Sequence, residues 1–175
     1  MDPKTKLIAA AENSFDRHGF TATGMDQLTR AAGMSSRTLY KHAGSKTALI
    51  TAVLTERDRR FLQQLEVGSV NALFEALETW IRVEGSRGCL FLRAYGETGG
   101  DTQDIAEAVS SHKARLFERI REIIRAETGG SDDRELAGQV LILLEGATAA
   151  AVYHGAKAIV AARKAAAILV EQARS

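Results

Sequence analysis

The stretch that decides the fold reads LTRAAGMSSRTLYKH and occupies residues 28–42. Gly33 interrupts it, and apolar side chains recur at three-to-four spacing among helix-forming residues on either side. The apolar contact between the two halves is predicted for Leu28, Ala31, Ala32 and Leu39. Two short helices that flank a turn of three or four residues are typical of a helix-turn-helix.

The second helix of such a motif lies in the major groove of DNA, where its first turns meet the edges of the bases. Arg37 is the strongest candidate for reading a base, because a guanidinium pairs with both acceptors of a guanine edge. The other candidates at this end of the helix are Ser35, Ser36, Thr38 and Lys41. Tyr40, His42 and Lys46 suit phosphate contacts, which set the register of a protein on the duplex.

Outside this motif the sequence predicts further helices and no strand. Pro3 is the only proline, and Ala, Leu, Glu, Arg and Lys recur with helical spacing. The predicted fold class is all-α, with an N-terminal three-helix head that carries the helix-turn-helix and a C-terminal helical bundle. The predicted helices span residues 3–18, 24–31, 35–41 (from Ser35 or Ser36), 46–65, 69–84, 88–97, 102–127, 132–152 and 155–173.

The helix ends are predicted from residues that satisfy unpaired backbone groups at a helix terminus. Thr23, three residues before Asp26, has the spacing of a cap for the second helix. Ser35 or Ser36 is expected to cap the third helix, and Ser45 the fourth.

The charge is unevenly distributed, although the whole chain carries only +1. Residues 1–50 hold seven of the 23 Lys and Arg and four of the 22 Asp and Glu, which makes this segment +3. The rest of the chain holds sixteen basic and eighteen acidic side chains and carries −2. This asymmetry predicts an N-terminus that faces a polyanion and a body that does not.

Composition and spacing disfavour several classes of protein. The longest run without Lys, Arg, Asp or Glu covers the eleven residues 146–156, whereas a membrane span needs about 20, so we expect no span and a cytoplasmic location. Cys89 is the only cysteine, which excludes an intrachain disulfide and leaves too few thiolates for a structural zinc site. We expect no metal, no cofactor and no enzymatic activity, because His112 and the scattered acids lack ligand or catalytic spacing.

Four segments resemble the N-terminal domain of the TetR family of transcriptional regulators. They are Gly19–Met25, Leu28–Ser35, Thr38–His42 and Lys46–Leu49. The resemblance implies a DNA-binding head over residues 1–48 and a helical ligand-binding and dimerisation domain over residues 49–175. By position it implies that Thr23 and Gly24 approach phosphates, and that the third helix faces the bases.

Two positions depart from the family pattern. Ala43 stands where the family usually has an aromatic residue that packs between the third and fourth helices. This smaller side chain predicts a looser seam in the head or a compensating side chain elsewhere. Arg37 replaces a commonly small residue, which leaves the base specificity open.

The resemblance also implies a two-fold homodimer that binds a palindromic operator in double-stranded DNA and leaves it when a small-molecule effector binds. The last two helices carry apolar stripes that we interpret as the dimer interface; the alternative is that the stripes close the core of one chain. The stripe residues are Leu136, Val140, Leu143, Leu144, Ala147, Ile159, Ala162, Ala166, Leu169 and Val170.

Seven side chains of the body are candidates for the effector pocket, since ligand pockets combine aromatic walls with a few polar groups. They are Trp80, Cys89, Phe91, Tyr95, His112, Phe117 and Tyr153. His112 and Glu97 would orient the ligand. Each of these residues also suits an ordinary core position.

Two other functions stay open. The first is a helical small-molecule-binding protein or enzyme that keeps a helix-turn-helix without using it, which the basic residues Arg37, Lys41 and Lys46 disfavour. The second is a repressor that senses oxidants or electrophiles through Cys89, because a helix N-terminus favours a thiolate. A buried, inert cysteine is the other interpretation of this residue.

Overall fold

The computed structural model describes residues 2–85, 87–130 and 132–174. In these residues it contains nine α-helices and no strand, which confirms the predicted fold class. Every predicted helix is present, and its ends lie within two residues of the expected ones. The helices are α1 (Pro3–His18), α2 (Met25–Ala32), α3 (Ser36–Ala43), α4 (Lys46–Gln64), α5 (Val70–Glu84), α6 (Leu90–Glu97), α7 (Gln103–Glu127), α8 (Arg134–His154) and α9 (Ala156–Arg174).

The chain forms two compact units. The first contains Met1–Asp58 and Leu90–Ser111, and the second contains Arg59–Cys89 and His112–Ser175. The functional boundary that we predict after residue 48 falls inside α4, and it stays a prediction because compactness does not define function.

The first unit is built on the apolar face of α1. Leu7, Ala11 and Phe15 are buried there, and the Phe15 ring stacks on Phe20 with 4.9 Å between the ring centroids. α1 contacts both α2 and α3. Helices of eight residues are not stable alone in water, so this packing is what holds α2 and α3 in place.

A buried ion pair joins α1 to α4 in the same unit. Arg57 Nη1 donates to Glu12 Oε1 at 2.7 Å, and only 7% and 11% of these side chains are exposed. Removing one partner would leave the other charge buried without compensation, which costs about 3–5 kcal/mol. The pair therefore restricts how α1 and α4 can pack.

A cavity of about 130 Å³ lies beside Ala43. It opens partly to solvent and lies where the small residue at this position predicts a looser seam. Its walls are formed by Lys4, Leu7, Ile8, His42, Ala43, Ala48, Leu49 and Ala52.

The second unit has a separate apolar core in which α5, α8 and α9 pack together. Leu73 and Phe74 of α5 are fully buried, and the last turns of α4 and the second half of α7 complete the cluster. Gly155 alone separates α8 from α9, so the two helices turn back on each other and pack along their length.

The interpretation of the α8 and α9 stripes as a dimer interface is wrong. Eight of the ten stripe residues are buried in the second unit, and Leu143 and Leu169 pack against the same core. The stripes face inward because α8 and α9 use them to pack on each other and on α5. The other side of these helices is exposed, and its large apolar residues are Ile142, Val152, Tyr153 and Ile168.

One described helix, α8, is long and apolar enough to cross a membrane, with a mean hydropathy of 1.5 over eighteen residues. One third of that window is buried inside the second unit. A core helix of a globular protein meets the same criterion, and α8 supplies six buried side chains to its unit.

The cavity beside Ala43 predicts that a larger apolar side chain stabilises the first unit. We expect Ala43→Leu to raise the free energy of unfolding by about 1 kcal/mol, because cavity filling adds buried contacts without strain. Ala32→Leu is the matched control, since Ala32 is only 1% exposed and lies at the end of a short helix. It should cost about 1–3 kcal/mol through overpacking. Thermal and urea unfolding measure both, and equal destabilisation by the two changes would contradict the prediction.

Candidate nucleic-acid interface

The helix-turn-helix is organised around three buried side chains. Leu28, Ala32 and Leu39 are each no more than 1% exposed. Gly33 forms the turn at φ 60°, a left-handed conformation that favours glycine, and its N–H donates to Arg30 O at 3.1 Å. Ala31, which we expected in this contact, is exposed because Leu28 and Ala32, one turn apart, take the buried positions.

Ser35 has a structural role at the start of α3. Its Oγ accepts from Thr38 N–H at 3.2 Å, and the Ser35 and Thr38 hydroxyls lie 2.9 Å apart. The predicted cap is confirmed for Ser35 rather than Ser36. These two hydroxyls bond to each other, and their contact with bases stays a prediction.

The exposed face of α3 is formed by Ser36, Arg37, Tyr40 and Lys41. Residues three and four apart lie on the same side of a helix, so these four side chains share one surface. Tyr40 is 52% exposed although it is aromatic. The surface therefore offers two cations and a phenol outward, while Leu39 and Ala43 hold α3 from behind.

The predicted phosphate-binding residues differ in their solvent exposure and in their hydrogen bonds. His42 is partly buried. Lys46 is also partly buried, and its Nζ donates to Thr21 O at 3.3 Å. This hydrogen bond holds Lys46 Nζ beside the loop between α1 and α2.

The expected cap at Thr23 is wrong. Thr23 is fully buried, and its hydroxyl donates to Gly19 O at 2.6 Å. Gly24 occupies the cap position of α2, and no side chain bonds to the first backbone N–H groups of this helix. A phosphate contact at residues 23 and 24 thus falls to the backbone, because the Thr23 side chain points into the unit.

Two lysines of α1 were missed by sequence reasoning. Lys6 Nζ lies 3.6 Å from the point where a side chain at Gly33 would begin, so it stands beside the turn of the motif. Lys4 lines the cavity next to His42. Both are exposed. Both lysines contribute to the positive charge of residues 1–50. Only the packing of α1 against α3 shows that they lie near the motif.

The candidate pocket residues are divided between the two units. In the second unit, Trp80 and His112 both contact Phe61, at 5.0 and 5.9 Å between ring centroids, and His112 is 2% exposed. Phe117 packs under the guanidinium of Arg134 at 5.7 Å. Tyr153 is 74% exposed, so it lies outside the buried core, and its part in an effector pocket stays a prediction.

The remaining aromatic candidates, Phe91 and Tyr95, belong to the first unit. Phe91 is buried, whereas Tyr95 is 46% exposed and covers the backbone of Gly100. Glu97 also lies in this unit, where its carboxylate accepts from Thr21 N–H at 2.8 Å. This bond already occupies the carboxylate that we expected to orient a ligand.

Cys89 immediately precedes α6 and is partly exposed. Lys113 Nζ lies 3.5 Å from its Sγ and 2.6 Å from Glu145 Oε1. The thiol therefore stands beside a cation. The described residues contain no group of three or more His, Cys, Asp or Glu that could hold a metal ion.

Comparisons with known proteins agree with this geometry. Residues 7–53 match the family described as bacterial regulatory proteins, tetR family. The HTH-type transcriptional activator FasR of Mycolicibacterium smegmatis is 50% identical over 48 residues, which are 27% of this chain and 22% of FasR. The chain thus matches less than a quarter of the length of this curated relative.

Two solved structures are similar over nearly their whole length. A TetR-family transcriptional regulator from Streptomyces coelicolor is 22% identical, with a TM-score of 0.89 over 99% of this chain and 96% of that one. A putative TetR transcriptional regulator from Streptomyces avermitilis is 27% identical, with a TM-score of 0.80 over 99% and 98%. Residues 7–53 therefore match the N-terminal domain of the tetR family, and the chain as a whole shares the fold of TetR-family regulators of known structure.

Proposed function

We propose that the protein is a sequence-specific DNA-binding transcriptional regulator, and that α3 reads the operator. The observation that carries this proposal is the exposed face of α3, where Arg37 and Lys41 stand one turn apart on a helix held from behind by Leu39. Arg37 near the start of α3 has the reach and the two donors needed for a guanine edge.

The surroundings of α3 support contacts with phosphates on both sides. Lys6 stands beside the turn, and Lys4 lies near His42 at the other end of α3. The uncapped start of α2 presents free backbone N–H groups, which favour an anion. These groups set the position of the head on DNA, and α3 supplies the sequence specificity.

We further propose a homodimer formed by the exposed side of α8 and α9. Ile142, Gly146, Ala149 and Tyr153 recur along α8 every three or four residues, and all four are exposed. Ile168 of α9 is 57% exposed. Small residues between large apolar ones allow two helices to approach closely, and a monomer rarely leaves such a surface uncovered. A two-fold dimer carries two α3 helices, so its operator is a palindrome.

We also propose a direction of regulation and a cause of release from DNA. We propose a cytoplasmic repressor that is released from its operator when a small-molecule effector binds, as is typical of the family; FasR, by contrast, is named an activator. Trp80, His112 and Phe117 of the second unit are the best-placed candidates for contact with the effector, since they join aromatic walls to one buried polar ring.

Selection of bound sequences from a random DNA library tests the DNA-binding proposal. We expect the purified protein to enrich a palindrome, and Arg37→Ala to lose it or relax it at one position in each half, at a cost of about 1–3 kcal/mol per contact. Arg82→Ala removes an exposed arginine of α5 and should select the same palindrome.

Binding of the wild-type protein to this palindrome should weaken with log salt at a slope of about −5 or steeper if a dimer makes six phosphate contacts. No enrichment at low salt by folded protein would refute the proposal and favour a ligand-binding protein with an unused head.

Charge placed on the α8–α9 surface tests the dimer. We expect Ile142→Glu and Ile168→Glu each to weaken self-association by about 2–4 kcal/mol, because a two-fold interface buries the unpaired charge twice. Val83→Glu is the matched control on α5, where Val83 is 72% exposed. Sedimentation equilibrium measures the association. A wild-type chain that is monomeric at the concentrations where it binds DNA would contradict this interface.

Thiol sensing is a second candidate trigger, which the cation beside Cys89 favours. Lys113 Nζ lies 3.5 Å from Cys89 Sγ, and a thiolate is the form that attacks electrophiles. An alkylating electrophile should then release the wild-type protein from its operator, whereas Cys89→Ser should stay bound. Equal release of both proteins, measured by fluorescence anisotropy, would exclude the thiol as the trigger.

A further inference from the structure

The loop between α1 and α2 is attached to α6 within the first unit. Thr21 N–H donates to Glu97 Oε2 at 2.8 Å, and Thr21 Oγ1 donates to the backbone carbonyl of Glu97 at 3.3 Å. The two residues are 76 positions apart in the sequence. The loop that leads into the helix-turn-helix is therefore held by the last residue of a helix that lies far along the chain.

Arg93 holds the Glu97 carboxylate in this position. Its Nε donates to Glu97 Oε1 at 3.0 Å, and its Nη1 donates to the carbonyl of Asp16 at 2.8 Å. The guanidinium thus bridges the end of α1 and the end of α6. One carboxylate oxygen faces the guanidinium while the other faces the loop.

The loop passes close to the carboxylate at Gly19, whose positive φ is a conformation that favours glycine. Gly19 has φ 89°, and a side chain there would begin 2.8 Å from Glu97 Oε1. Partial burial by itself would raise the pKa of Glu97, but hydrogen bonds from Thr21, Arg93 and Phe20 outweigh it and hold this pKa below its ordinary value. The ionised carboxylate is therefore the form that this contact favours.

The same loop carries groups that the proposed function places near phosphates. Thr23 donates to Gly19 O at 2.6 Å, which connects the start of the loop to the start of α2. Lys46 donates to Thr21 O at 3.3 Å. Fixing Thr21 therefore fixes both the uncapped start of α2 and the lysine at the start of α4.

We infer that Glu97 is a positioning residue for DNA binding: held by Arg93, it fixes the 19–24 loop so that the start of α2 and Lys46 meet the phosphate backbone. The inference rests on the proposed DNA-binding function. The effect on affinity that it predicts is opposite to the effect that electrostatics alone predicts. Removing an acid from a unit that binds a polyanion should strengthen binding, whereas removing the support of the loop should weaken it.

The test compares the full-length wild type with Glu97→Ala, Glu97→Gln and Glu107→Ala on the operator selected by the wild type. Glu107 is an exposed glutamate of the same unit that bonds to Gln103 at 2.8 Å, so Glu107→Ala removes the same charge without touching the loop. We expect Glu97→Ala to weaken binding about tenfold, equivalent to about 1.4 kcal/mol, and to make the salt slope shallower, because the phosphate contact of Lys46 that the loop supports is weakened. Glu107→Ala should bind as tightly as the wild type or slightly more tightly.

Hydrogen exchange of the Thr21 amide, measured without DNA, supplies a readout of the loop itself. We expect faster exchange in Glu97→Ala and a smaller increase in Glu97→Gln, whose amide oxygen still accepts from Thr21. If Glu97→Ala loses its helical circular dichroism, Glu97→Gln decides: faster Thr21 exchange together with wild-type affinity overturns the inference, whereas exchange that rises as affinity falls supports it.

The outcomes separate the two proposals. Affinity in Glu97→Ala equal to or tighter than that in Glu107→Ala overturns the positioning role and leaves DNA binding intact. A wild type that enriches no sequence refutes the proposed function, and this inference with it, before any variant is compared.

Discussion

Neither helix of the DNA-binding motif is long enough to be stable alone. The proposed function therefore depends on the packing that holds these two helices in place. α2 and α3 each have eight residues, well short of the roughly 12–15 that an isolated helix needs in water. Their stability comes from Leu28, Ala32 and Leu39, which are buried against each other and against α1. The exposed face of α3 is free to carry Arg37 and Lys41 because its other face supplies the packing.

Polar contacts then restrict the first unit to one arrangement. The Glu12–Arg57 pair joins α1 to α4 in a poorly solvated place, and hydrogen bonds from Thr21 to Glu97 and from Arg93 to Asp16 attach the α1–α2 loop and the end of α1 to α6. Apolar packing alone is tolerant of small shifts, whereas a desolvated charge pair loses much of its energy when its geometry changes. The cavity beside Ala43 shows that packing in this unit is not uniformly tight.

In the second unit, α8 and α9 are apolar on two sides. α8 and α9 bury one side in the core of their own chain and leave the other side apolar and exposed. Apolar residues on both sides explain why α8 reaches the hydropathy of a membrane helix. They also explain why the interior stripe was mistaken for an interface: a helix that is apolar nearly all round has no pattern that distinguishes the two sides.

The sequence by itself determined the helices, their ends and the helix-turn-helix, because these depend on periodicity, glycine and capping residues that act over a few positions. It also identified α3 as the exposed helix of the motif. Only the tertiary structure decided which stripe of α8 and α9 is buried, that Thr23 points inward, that Lys6 stands beside Gly33, and that Glu97 holds a loop 76 residues away. Each of these depends on which distant segments pack together, and local spacing carries no information about that.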